Sequence, residues 1–115
     1  MGFWRKELVD SALGRETRLH SEEQVRWIER EPANPRPYHN LAQLYRMQGR
    51  QDEGLALLLE AVRLDPSYAD AHQALAEIYV VREDYRAAWR HARAAEREGN
   101  RRAVELLERH NIAEG

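Results

Sequence analysis

Residues 35–68 read PRPYHNLAQLYRMQGRQDEGLALLLEAVRLDPSY, and residues 69–100 read ADAHQALAEIYVVREDYRAAWRHARAAEREGN. Laid over one another with an offset of 34, they agree at the positions that matter for packing. Leu41 falls on Leu75, Ala42 on Ala76, Leu44 on Ile78, Tyr45 on Tyr79, Ala61 on Ala95 and Arg63 on Arg97. Pro32 and Pro66 are 34 apart and another 34 reaches Asn100, while Trp4, Tyr38 and His72 keep the same interval. Self-similarity at a period of this length marks a stack of units, each burying its apolar face against its neighbours.

Inside residues 35–68, Tyr38, Leu41, Ala42 and Tyr45 recur at i, i+3, i+4 and i+7, the stripe of an amphipathic helix. Asn34 is placed to cap its free amides, and Pro35 suits a first turn because it has no amide to leave unpaired. Gly49 is read as the stop of that helix and Asp52 as the cap of the next. The second helix turns Leu55, Leu58, Ala61, Val62 and Leu64 inward and ends at Asp65-Pro66. Residues 69–100 repeat the plan. Ser67 with Asp70 offers a box-like start, His72, Leu75, Ala76 and Tyr79 form the stripe, and Asp84 opens a partner helix that ends at Gly99. No segment alternates with period two, so no strand is expected.

The first 34 residues are a degraded copy. Trp4 and Leu8 hold the register of the later stripes, and Ser21 with Gln24 reads as a capping box for a helix from Glu22 to about Glu31. Trp27 takes the place of Ala61 and Ala95, where two helices should approach closely, so this pair is expected to pack at a different angle. After Asn100, a helix over Arg101–His110 turns Ala103, Val104 and Leu107 inward as a lid, because the end unit of a stack otherwise exposes its core. The expected division is one domain, 1–115: a degenerate repeat 1–34, repeats at 35–68 and 69–100, and a capping helix with tail at 101–115.

Composition narrows the function. The 115 residues are 33% charged and 43% apolar, with net charge −2. A chain of this size buries roughly 65% of its unfolded surface in one domain. Nothing global calls for a polyanion or an anionic membrane. The absence of cysteine removes disulfide and thiol chemistry from these residues. Met1–Lys6 has no apolar stretch behind it, Gly2 meets Lys6 where myristoylation wants Ser or Thr, and the run Leu55–Leu59 is far short of the roughly 20 residues of a membrane span. A cytoplasmic protein is the expectation.

The residues that carry a family resemblance are Tyr38, Leu41, Ala42, Tyr45, Gly54, Leu58, Ala61 and Pro66 in one unit. In the next they are His72, Leu75, Ala76, Tyr79, Ala88, Ala92 and Ala95. This pattern resembles the tetratricopeptide repeat, W-x2-L-G-x2-Y followed by A-x3-F and a late Pro. The resemblance implies an all-α fold, a right-handed superhelical stack of helix–turn–helix repeats with a C-terminal capping helix. It also implies a scaffold that binds an extended peptide or short helix of a protein partner on its concave side. The chain departs from the pattern where Ala92 fills a slot that favours a large apolar residue. Glu96 and Glu98 replace Val62 and Leu64, so the last full unit has a thin core that depends on the lid.

Candidate chemistry follows from this frame. The stripe beside the core stripe faces the groove, which nominates Arg36, His39, Gln43, Arg46 and Met47 in one unit and Asp70, Gln73, Glu77, Val80 and Val81 in the next. Long polar groups mixed with Met47, Val80 and Val81 suit a peptide with some apolar side chains. Repeats of this family that hold C-terminal carboxylates of chaperones use Lys and Asn in the groove. Asn40 matches one such position, but His39, Gln43, Gln73 and Glu77 supply no such cations, and Glu77 repels a carboxylate.

No catalytic residue, metal or cofactor is expected. His20, His39, His72, His91 and His110 lack ligand spacing, Ser11, Ser21 and Ser67 read as a helix residue and two caps, and no glycine-rich loop cradles a phosphate. A second surface competes with the groove. Arg82, Arg86, Arg90, Arg93, Arg97 and Arg101 follow at helical intervals on the convex face, a stripe that could meet an acidic protein or nucleic-acid phosphates. The lack of interleaved aromatics and the negative net charge argue against nucleic acid. Self-association of the stack is the third reading.

Overall fold

The structure, a computed structural model, describes residues 18–115, and among them the chain forms six helices and no strand. The helix α1 is described over residues 18–30. It is followed by α2 (Pro35–Met47), α3 (Gln51–Leu64), α4 (Ala69–Val81), α5 (Tyr85–Arg97) and α6 (Arg102–Arg109). Helices α2 and α3 pack as one hairpin and α4 and α5 as a second, α3 lies on α4, and α6 covers α4 and α5. The register placed on Trp4 and Leu8, and the helix pair they would form with α1, lie outside the described residues.

The turns repeat as closely as the helices. After α2, Gly49 adopts φ +78°, and the N–H of Arg50 reaches back to the carbonyl of Tyr45 at 2.8 Å. After α5, Gly99 adopts φ +90° and Asn100 reaches Ala95 at 3.0 Å. These are left-handed helix stops in which the chain's own amides satisfy the last free carbonyls. Between α4 and α5 the same turn is made by Glu83 at φ 60°, with Asp84 bonded to Tyr79 at 2.9 Å. A side chain in this region costs more than glycine does.

Capping was read correctly at Asn34, whose side chain accepts from the Arg36 amide at 3.0 Å, and at Asp84, which accepts from Ala87 at 3.2 Å. Three other caps differ from expectation. Helix α3 starts at Gln51 with Arg50 as its cap, so Asp52 sits within the first turn, where its charge favours the helix N-terminus, and it pairs with Arg82 of α4's end at 2.6 Å. Helix α4 has Tyr68 as its cap with no side-chain bond; Asp65 instead accepts from the Ser67 amide at 3.0 Å and turns the chain ahead of the helix. Ser21 is a buried residue inside α1, because that helix is already running at residue 18. Gln24 accepts from Asn40 of α2 at 3.2 Å and so ties the two helices.

Two core clusters form. The first joins Ala42 of α2, Leu58 and Ala61 of α3, and Ala71, Ala74, Leu75 and Ile78 of α4. The second joins Ala76 of α4, Ala88, Trp89 and Ala92 of α5, and Ala103, Val104 and Leu107 of α6. Alanine at Ala42, Ala61, Ala76 and Ala95 permits the close helix approach the period implies, and all four are essentially inaccessible. The lid expected from Ala103, Val104 and Leu107 is in place. Beyond it, Asn111 at φ 56° reverses the chain, Ile112 packs on the second cluster, the Trp89 indole donates to the Ile112 carbonyl at 3.1 Å, and Glu114 holds Arg93. Trp27 keeps its indole on its own helix end, donating to Glu31 at 2.7 Å.

Candidate functional site

Helices α2 and α4 lie side by side on the inner face, and their polar residues meet in one cavity. Its walls are His39 and Gln43 of α2, Asp70, Gln73, Ala74 and Glu77 of α4, and Arg102 of α6, around about 190 Å³. That is below the roughly 300–1,000 Å³ of a small-molecule pocket and suits a side chain or a stretch of main chain. Ala74 is the floor, small enough to leave the recess open.

A hydrogen-bonded row runs along the cavity. Arg46 donates from Nη1 to Gln43 at 3.1 Å, and its Nη2 lies 3.8 Å from Glu77. Gln73 donates to Glu77 at 2.8 Å and accepts from Asn100 at 2.8 Å, and Asn100 also reaches Asp70 at 3.4 Å. The row therefore crosses from α2 through α4 to the turn before α6. His39 packs its edge on Tyr68, centroids 5.4 Å apart, and burial depresses its pKa against the opposing pull of Asp70. Burial pushes the Tyr68 hydroxyl up, so that contact stays uncharged near neutrality.

Of the ten residues nominated from sequence, His39, Gln43, Asp70, Gln73 and Glu77 line this cavity and Arg46 borders it through Gln43 and Glu77. Arg36 is exposed in the first turn of α2. Met47 and Val81 project from the C-terminal ends of α2 and α4 and are 76% and 84% exposed. Val80 is half-buried and packs on the second core cluster. Sequence reasoning missed Arg102 and Asn100, because α6 was read only as a lid. The signal was present: Arg102 is 34 residues beyond Tyr68, at the edge of the next unit.

A second arrangement was also missed. His72 and His91 face each other between α4 and α5, with Nδ1 atoms 3.0 Å apart, and Tyr79 stacks on His91 with centroids at 5.6 Å. His72 Nε2 is 2.8 Å from the Pro66 carbonyl and so carries the proton that it donates there. Its Nδ1 is then the acceptor, and His91 donates from its own Nδ1. One unit earlier the Tyr38 hydroxyl donates to the Pro32 carbonyl at 2.8 Å, so His72 does the work of that tyrosine. Burial, with His72 and Arg90 adding positive potential, pushes the His91 pKa down to about 4.

The arginine stripe is half neutralised. Arg82 pairs with Asp52, Arg93 with Glu96 and Glu114, and Arg101 with Glu96. Arg86, Arg90 and Arg97 are exposed and make no ion pair with a described residue. A larger cavity of about 690 Å³, bordered by Arg18, Ser21, Val25, Tyr45 and Arg50, opens beside α1 where the described residues begin. Among the described residues no group of three or more His, Asp or Glu could hold a metal ion, and no helix is long and apolar enough to cross a membrane.

Residues 35–78, the α2–α3 hairpin and most of α4, match the family model described as tetratricopeptide repeat. This is a tetratricopeptide-repeat protein. The TPR repeat-containing thioredoxin TTL4 of Arabidopsis thaliana is 47% identical to it over 55 residues, which are 48% of this chain and 8% of that protein. The chain thus spans a small fraction of the relative it matches, and the thioredoxin part of that name belongs to the relative. Tetratricopeptide repeats are in general protein-interaction modules, and in this tetratricopeptide-repeat protein the six polar residues of the α2–α4 face stand where such an interaction has room.

Proposed function

We propose that the chain is an interaction scaffold or adaptor, set in the cytoplasm, that takes an extended segment of a protein partner along the α2–α4 face. The observation that carries this reading is the convergence of His39, Gln43, Asp70, Gln73 and Glu77, drawn from two units 34 residues apart, on one recess with an alanine floor. The recess is too small for a drug-sized molecule and is lined by amide and carboxylate groups that match a peptide's own polar groups. Met47 and Val81, exposed on successive units beside it, supply apolar contact for the partner's side chains. Arg36 and Arg46 bring positive charge and Asp70 and Glu77 negative charge, a pattern that orients a ligand during encounter more than it adds to affinity.

The rival reading, a polyanion or acidic partner on the convex face, keeps only Arg86, Arg90 and Arg97 as unpaired cations among the described residues. Quantitative capture from cell extract separates the two. Replacing Gln43 and Gln73 by Ala should release the partners held by the wild type. Replacing Arg86, Arg90 and Arg97 by Gln should leave them bound. The opposite pattern moves the functional surface to the convex side, and salt-sensitive recovery of nucleic acid identifies its ligand as a polyanion.

A further inference from the structure

The two central units differ at one pair of positions in a way that reaches the groove. In the first, Gly54 of α3 is buried against Arg46 of α2; 34 residues later the equivalent pair is Ala88 and Val80. A Cβ built on Gly54 would stand 2.8 Å from Cγ of Arg46, 3.2 Å from the Ala42 carbonyl oxygen and 3.7 Å from Cδ of Arg46. The stem of Arg46 therefore lies flat in the space a side chain at 54 would fill. Cγ is close to the backbone and cannot swing away without carrying the guanidinium with it. With the stem so held, the Arg46 side chain is only 22% exposed, its Nε is buried with no acceptor, and Nη1 and Nη2 are delivered to the row of Gln43 and Glu77.

The end of that side chain is incompletely bonded. Nη2 and the Glu77 Oε2 are 3.8 Å apart, beyond the 2.7–3.2 Å or so of a hydrogen bond, so a donor and an acceptor face the cavity side by side. One amide group fits that pair. Its C=O accepts from Nη2 while an N–H donates to Oε2, and the two opposite charges leave no net charge for an ionic group to neutralise. A carboxylate at this point would meet Glu77, and a cation would meet Arg46.

We infer that Gly54 is a positioning residue of the groove: by carrying no side chain it seats the stem of Arg46 and sets the Arg46–Glu77 pair to take an uncharged amide of the bound segment. This rests on the proposed use of the α2–α4 face for binding. The third unit, with Ala88 and Val80, lacks the device, so the selectivity belongs to one point of the groove and not to the repeat as such.

The test uses Gly54→Ala, Arg46→Val and the double variant, which recreates the Val80–Ala88 pair in the second unit. Probes are peptides enriched from a displayed random 12-residue library on the wild-type protein. The arginine Nε–H signal of Arg46, identified by its loss in Arg46→Val, reports the stem directly. The expected result is a double variant at least as stable as wild type, since Ala replaces Gly in a helix, that binds the enriched peptides at least tenfold more weakly. Gly54→Ala alone should shift the Arg46 Nε–H signal and weaken binding to the same degree although Arg46 is present. If Gly54→Ala keeps both the signal and the affinity within twofold, the positioning role is overturned. Should Gly54→Ala fail to fold, a double variant that binds as wild type does has the same consequence. Methylating each main-chain N–H of a bound peptide in turn should weaken binding at one position in the wild type and not in Arg46→Val; uniform effects overturn the amide assignment. A library that yields no enriched peptide refutes the binding face itself, while the Nε–H signal still decides whether Gly54 seats Arg46.

Discussion

The α2–α3 hairpin and the α4–α5 hairpin follow one plan with different fillings. In the first, Leu58 is fully buried between alanines, and Tyr38 reaches the loop carbonyl of Pro32 from the edge of the core. In the second, aliphatic bulk is replaced by alanine and rings: Ala92 stands where Leu58 stood, and His72, His91, Tyr79 and Trp89 occupy the space. A repeat's period sets where helices approach, but the stability of each unit comes from what fills the interface. The α2–α3 hairpin carries its own Leu58, whereas the α4–α5 hairpin draws Val104 and Leu107 from α6 and Ile112 from the tail.

The largest effect should come from removing what the second hairpin borrows. Deleting residues 101–115 uncovers Trp89, Ala88 and Ala92 together, and the expected outcome is loss of cooperative unfolding and self-association in sedimentation analysis. A truncated chain that remains monomeric with an unchanged Tm would break the comparison. Next is Leu58→Ala, expected to destabilise by about 2–5 kcal/mol in denaturant unfolding, the usual cost of truncating a buried leucine. A change no larger than that of a surface substitution would mean that the first hairpin does not depend on its aliphatic core.

The histidine pair makes a pH-dependent difference between the hairpins. His91 is held near 4, below its ordinary value of 6.5. Above 6.5 the ring is neutral in folded and unfolded chains alike. As pH falls from 6.5 towards 4 the unfolded chain takes up a proton that the folded one resists, so stability falls across that window and levels off below it. The expected outcome is a Tm that drops on acidification from 6.5 to 4, with a shallower slope in His91→Phe. Equal slopes would show that the pair stays neutral for other reasons.

Much of this was legible in the sequence. The period, the helix faces, the lid of Ala103, Val104 and Leu107, and the stops at Gly49 and Gly99 depend on residues near one another in the chain or on a fixed offset, and those survive in a one-dimensional reading. Contacts that join different helices do not. His72 and His91 are 19 residues apart on two helices, and nothing in their spacing pairs them. Asp52 looked like a cap because it is acidic and close to a helix start, but a glycine stop leading straight into α3 moved that start to Gln51. Half of the nominated groove was found by face assignment alone; Met47 and Val81 fell beyond the recess because they lie at the ends of their helices, and Arg102 required knowing where α6 lands.

Two smaller effects sharpen the same comparison. Glu83 holds the left-handed position that Gly49 fills one unit earlier, so Glu83→Gly should raise stability by about 1 kcal/mol in thermal unfolding, whereas Gly49→Ala should lower it. A destabilising Glu83→Gly would mean that the side chain contributes more than its backbone strain costs. Smallest is the bridge between the hairpins, Asp52 with Arg82 at 2.6 Å, which is largely in solvent. A double-mutant cycle on this pair should return roughly 0–1 kcal/mol.

The central claim is that the α2–α4 face, not the convex side of α5, holds the partner. A photo-crosslinking side chain placed at Gln43 and, separately, at Arg90 tests it inside the cell, with adducts read by mass spectrometry. The account predicts a specific adduct from position 43 that disappears when Gln73 and Glu77 are also replaced by Ala, and none from position 90. A specific adduct from position 90 with none from position 43 would contradict it.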